Sequence, residues 1–158
     1  MTALDDLAPI SEGYATLPVQ EAFDWSAAAT QLGDGDWYMV VFRSIRRADA
    51  DVARLTEYDE RAHAEAASSP GFVHYLKGPA AADRSCLSFC IWDSRAHARA
   101  AAGRPDHVEA VSLIGEMYES YTLDFLRITG RAGEPLRFEP YDVVPRPGAS
   151  LNPALAPA

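Results

Sequence analysis

Cysteine is scarce in this chain: Cys86 and Cys90 are the only two among 158 residues. On one extended strand their Cα atoms would lie roughly 13 Å apart, out of reach of a disulfide. No second pair completes a four-cysteine zinc site, so both are expected to be buried reduced thiols of a cytoplasmic protein. The four histidines form no H-E-x-x-H or H-x-x-x-H pattern, and no dedicated metal site is expected. No apolar run approaches 18 residues, which removes any expectation of a membrane span. Residues 1–10 hold two aspartates and no basic residue, unlike a secretory signal. The Gly33-Asp34-Gly35 cluster lacks the later glycine of a phosphate loop and precedes a strand, so nucleotide binding has no support; nor is there a nucleophile elbow. Positive charge is the minority, with 14 Lys and Arg against 23 Asp and Glu, a net charge of −9 and a pI near 4.8. Such a surface repels phosphate backbones and anionic lipid, which argues against nucleic-acid and membrane partners.

What is present is an apolar core. Hydrophobic residues make up 48% of the chain, enough for one domain without disulfides. Residues 1–35 are weakly periodic, with a short helix expected within 23–32, capped by Asp24 or Ser26. Residues 37–45 (WYMVVFRSI) read as a strand, apolar on both parities and therefore covered on both sides. Asp49 or Asp51 can cap a helix running to about Ser68, with Val52, Leu55, Asp59, Ala62, His63 and Ala66 on one face. Residues 72–76 (FVHYL) and 86–92 (CLSFCIW) read as two further strands in a hairpin. Ser94 caps a second helix over 95–102. After Gly103 the helix restarts at Pro105 and presents Val108, Val111, Ile114, Gly115, Tyr118 and Tyr121 on one face. Residues 122–128 (TLDFLRI) supply the fourth strand. Beyond Thr129 the chain is rich in glycine and proline; 136–144 is expected as an arm over a neighbour and 145–158 as disordered.

The order β-α-β-β-α-β describes an α+β, ferredoxin-like domain over 36–130, with an N-terminal extension (1–35) and a C-terminal arm and Pro-rich tail (131–158). Two helices cover only one face of a four-stranded sheet. An apolar second face left in water would be a large exposed patch. A two-fold-related copy is the expected cover, making the protein a homodimer; a terminal extension folding over the face is the rival.

The strand WYMVVFRSI, the helix in DADVARLTEYDERAHAEAASSPGF, the strand CLSFCIWDS and the helix in RAHARAAAGRPDHVEAV resemble the dimeric α+β barrel superfamily, and within it the antibiotic-biosynthesis monooxygenase-like group. The resemblance covers about residues 36–130. It implies a small-molecule pocket between helices and sheet, and activities that include cofactor-independent, quinone-forming oxygenation and haem degradation. In haem-degrading relatives a tryptophan near Trp92 packs on the porphyrin and a later histidine binds iron. That register here holds Val111, with His107 one turn earlier. The asparagine of the oxygenase relatives has no counterpart, since the chain's single asparagine is Asn152 in the tail.

The candidate catalytic residues are His107, His74 and Arg43. An imidazole titrates near neutrality, and a helix N-terminus favours the neutral, basic form at His107. Arg43 could neutralise a substrate phenolate or carboxylate. Trp92, His63, Tyr75 and Tyr118 are candidate ligand-binding residues, each with a competing reading as core or surface. Two functions follow: an enzyme acting on a planar apolar or aromatic substrate without a resident cofactor, or a non-catalytic protein that binds a ligand such as haem or serves as a structural dimer.

Overall fold

The apolar run beginning at Trp37 becomes the spine of an antiparallel sheet. The computed structural model describes residues 1–141. A single 3-10 turn (Tyr14–Thr16), α1 (Val19–Ala22) and α2 (Ser26–Leu32) precede β1 (Gly35–Arg46). Then follow α3 (Val52–Ala67), β2 (Phe72–Leu76), β3 (Ser85–Trp92), α4 (Arg95–Ala102), α5 (Pro105–Ser112), α6 (Ile114–Met117), β4 (Tyr118–Gly130) and β5 (Arg137–Pro140). The strands lie in the order β2-β3-β1-β4-β5, all antiparallel. The first four make the expected ferredoxin-like sheet and β5 adds a fifth at the edge.

Local chemistry sets the helix starts. The Asp51 side chain accepts a hydrogen bond from the Arg54 amide, and Ser94 does the same for His97. Pro105 opens α5, where its missing N–H costs nothing. The restarted helix ends sooner than its spacing predicts. β1 is twelve residues long and offers ladder positions as far as Arg46, which pairs with Tyr118. Sheet pairing therefore claims Tyr118 and Tyr121 for β4, and their three-residue spacing is not helical. The C-terminal arm begins as β5, paired to β4 of its own chain. The rest of that arm and the expected disorder over 145–158 lie outside the described residues.

The two faces of β1 are covered by different parts of the chain. Tyr38 and Val40 face α4, among Cys90, Trp92, Ala98 and Ala101. Met39 and Val41 face the other way, with Leu87, Phe89 and Ile91, and meet the N-terminal segment. Leu4, Tyr14, Val19, Phe23 and Trp25 are all buried there. Phe23 sits edge-on to Phe89 at 5.6 Å, and Trp25 lies 5.3 Å from Phe89 and 5.1 Å from Phe138. The Tyr14 hydroxyl donates to the Pro79 carbonyl at 2.6 Å. Residues 1–32 thus close the sheet face for which a second copy had been expected. Each large side chain buried there contributes about 1.5–3 kcal/mol of transfer free energy.

Candidate functional site

The helix layer does not press onto the sheet along its whole length. Neither α3 nor α5 has a fully buried residue. Between them and the sheet lies a cavity of about 480 Å³. Apolar walls with a few convergent polar groups characterise small-molecule sites. The floor is set by alternation, with Phe42, Ser44 and Arg46 from β1 and Cys86, Ser88, Cys90 and Trp92 from β3.

Two irregularities add aromatic rings to that floor. The β2–β3 register shifts between Phe72 and His74, so Phe72 and Tyr75, three residues apart, both line the cavity. The β1–β4 register shifts at Ile45/Arg46, and Tyr118 and Tyr121 come to the same side with rings 5.2 Å apart. Trp92 is 4% exposed, edge-on to Phe72 at 5.4 Å, and its indole N–H donates to the Cys90 sulfur at 3.1 Å.

His107 lines the cavity from the first turn of α5. Burial pushes its pKa below the ordinary imidazole value, against smaller opposing effects of the Ala102 backbone and the Glu65 charge. The ring is therefore neutral at pH 7, and its Nδ1 is buried with no hydrogen-bond partner among the described residues. The helix start is fixed by Glu65 of α3, whose carboxylate accepts the His107 amide at 3.1 Å. Arg104 binds Ser69 Oγ at 2.7 Å and the Glu65 carbonyl at 3.2 Å, latching α5 to the end of α3.

Asp59 is the carboxylate that the sequence reading left unused. The Tyr75 hydroxyl donates to it at 2.7 Å, and Lys77 lies 3.2 Å away. Burial, then the Asp59 charge, holds the Tyr75 phenol well above its usual pKa, so Tyr75 stays a donor. An aspartate on the apolar face of an amphipathic helix was the available signal. His63 is exposed, at the cavity mouth, with its ring 4.7 Å from Tyr75; it is not a core histidine.

Of the seven candidate residues, His107, Trp92, His63, Tyr75 and Tyr118 converge on this cavity. Arg43 and His74 do not. Arg43 donates to the Ala15 carbonyl at 2.8 Å and to Asp124 at 3.2 Å, on the side covered by the N-terminal segment. His74 lies 3.7 Å from Asp5, with its ring 6.3 Å from Phe89 on that same side. Odd parity on β1 sends Arg43 away from Phe42 and Ser44, and plain alternation on β2 turns His74 away from its neighbour Tyr75. Neither is placed to serve as anion partner or base in the cavity.

The PB2B2.08-like family model matches residues 1–140, taking in the N-terminal segment together with the sheet and helices. The chain belongs to the PB2B2.08-like family. No curated protein sequence matches it. Among solved structures, it is similar to Rv0793 from Mycobacterium tuberculosis, at 20% identity and a TM-score of 0.51, over 57% of this chain and 92% of that one. A Nitrosomonas europaea protein provisionally named as an antibiotic biosynthesis monooxygenase aligns at 12% identity and a TM-score of 0.53, over 65% of this chain and 97% of its own. PA3566 from Pseudomonas aeruginosa aligns at 9% identity and 0.51, over 58% and 93%. These likenesses carry the fold alone, a ferredoxin-like α+β sheet with helices on one face.

Haem, which the fold's relatives bring into question, does not fit these residues. The position one helical turn beyond His107, where the resemblance puts the iron ligand, is Val111, and Trp92 is only 4% exposed, edge-on to Phe72. Among the described residues no group of three His, Cys, Asp or Glu is placed to hold a metal, and no helix is long and apolar enough to cross a membrane.

Proposed function

We propose that the protein binds a planar, mostly apolar small molecule in the helix–sheet cavity and that His107 removes a proton from it. The neutral, desolvated imidazole at an aromatic-walled cavity is the observation that carries this reading. A phenol or an activated methylene held against Trp92, Phe72 and Tyr75 would become an electron-rich anion. Such an anion is the form that reacts with molecular oxygen. In the simplest balanced case a ring CH2 becomes C=O, the second oxygen atom leaves as water, and the substrate supplies all the electrons. The protein contributes orientation, exclusion of water and the base. Two free thiols, Cys86 and Cys90, support a cytoplasmic setting for this chemistry.

Oxygen uptake by the purified protein with a panel of anthrones, naphthols and hydroquinones tests the reading. Uptake with at least one of them, reduced at least 100-fold in His107→Ala, is the expected result. The acid limb of its kcat/KM profile should lie below pH 6.5, because burial favours the neutral ring. Binding without uptake would favour the second reading, a ligand carrier. The pairing of Asp59 by both Tyr75 and Lys77 supports that one, since a carboxylate so engaged is not free to serve as a second base.

A further inference from the structure

The cavity is not uniform along its length. β3 runs the length of its floor, from Trp92 at one end to Cys86 at the other, on the order of 20 Å for six residue steps. His107 and Trp92 belong to one end. At the other, β1 and β4 pair Arg46 with Tyr118 and Ser44 with Tyr121.

Three hydrogen-bond donors at that second end are unspent. Arg84 and Lys77, the other cations lining the cavity, are both committed, to Glu119 at 3.1 Å and to Asp59 at 3.2 Å. The Arg46 backbone is bonded on both sides to Arg84, yet its guanidinium has no acid partner among the described residues. The Tyr118 and Tyr121 hydroxyls likewise have none, and neither is sealed away. Half-buried phenols normally find a partner. Burial pushes the Tyr118 pKa up to about 12 and that of Tyr121 up as well, so both remain donors at neutral pH. The Asp59 charge reaches both tyrosines, and Lys77 neutralises it within the same end of the cavity. An uncommitted arginine is informative in a chain whose acids outnumber its bases by nine.

We propose that Arg46, with the hydroxyls of Tyr118 and Tyr121, is a receptor for an anionic group, a carboxylate carried by the ligand. This rests on the reading of the cavity as a small-molecule site and narrows it to apolar ring compounds bearing an acid at the end remote from His107. Arginine suits a planar oxyanion because its fork donates two parallel hydrogen bonds. The acid fixes which edge of the ring lies near the imidazole.

Calorimetric titration of the full chain with 2-naphthoate and 2-acetylnaphthalene tests the assignment, since the two differ chiefly in charge. The wild type should bind naphthoate at least tenfold more tightly. Arg46→Met should remove that preference, weakening naphthoate far more than the ketone. Tyr118→Phe/Tyr121→Phe should weaken naphthoate several-fold. Because the Arg46 guanidinium holds no other element in place, an unaltered circular dichroism spectrum is expected for Arg46→Met. Equal wild-type affinities, or a preference that survives in Arg46→Met, would overturn the anion receptor and leave the cavity reading standing. Binding of neither compound would overturn both.

Discussion

At the scale of single residues, the buried imidazoles decide how the fold responds to acid. Burial lowers the pKa of both His107 and His74. His107 is faced by Glu65 and the Ala102 backbone, His74 by Asp5 and His63, and in each case desolvation is the larger effect. Below about pH 6.5 the unfolded chain therefore binds protons that the folded chain refuses. Stability must fall as pH drops through that value and level off once the folded-state values are passed. The lowered carboxylates Asp5, Asp24, Asp83 and Asp93 are exposed and act only around pH 4 and below. Thermal melts at pH 7.5 and 5.5 should show the wild type losing stability while His74→Gln/His107→Gln loses clearly less; equal losses would mean that other groups carry the dependence. The hydrogen bond from Tyr75 to Asp59 belongs to the same scale. Tyr75→Phe leaves that carboxylate with Lys77 alone and should cost about 1–2 kcal/mol in urea denaturation.

Elements show which parts of this structure a reader of the sequence can recover. The caps at Asp51 and Ser94, the Pro105 restart and β2 at Phe72–Leu76 all follow from local chemistry, and the structure has them where that chemistry puts them. The cavity is less legible because two bulges build it. Strict alternation would put Phe72 and Tyr75 on opposite faces, and the same holds for Tyr118 and Tyr121. Each bulge depends on the partner strand's register, which no local pattern encodes. Arg43 shows the reverse failure: the residue type was right for an anion site, but three positions on, Arg46 has the cavity parity and Arg43 does not. Gly78 marks another place where long-range contact dictates the residue. A Cβ there would run into the Leu87 carbonyl oxygen and the Tyr14 hydroxyl. Gly78→Ala should push β3 and the N-terminal segment apart and destabilise the protein by about 1–3 kcal/mol, read from the denaturation midpoint.

For the whole molecule, the question raised by a sheet apolar on both faces is what closes the second one. Here residues 1–32 do so, with Phe23 and Trp25 wedged against Phe89 and Phe138. The match of the family model over residues 1–140 includes this segment, whereas the structurally similar proteins cover only 57–65% of the chain. The same segment holds Arg43 through Ala15 and reaches the loop before β3 through Tyr14, so it also stiffens the sheet beneath the cavity. A second copy is therefore not needed to keep this face dry, and the full chain should not pair through it. Releasing the wedge should reverse that. Phe23→Ala/Trp25→Ala removes two buried rings, each worth about 3–5 kcal/mol, and frees the segment to lift from Met39, Val41, Leu87 and Ile91. Those side chains then form an apolar patch of the kind that water drives together. Light scattering of the variant at rising concentration should show a mass increasing in steps of 17.2 kDa above that of the wild type at equal concentration. A folded variant whose mass matches the wild type throughout would mean that the face, once uncovered, has no affinity for its own copy.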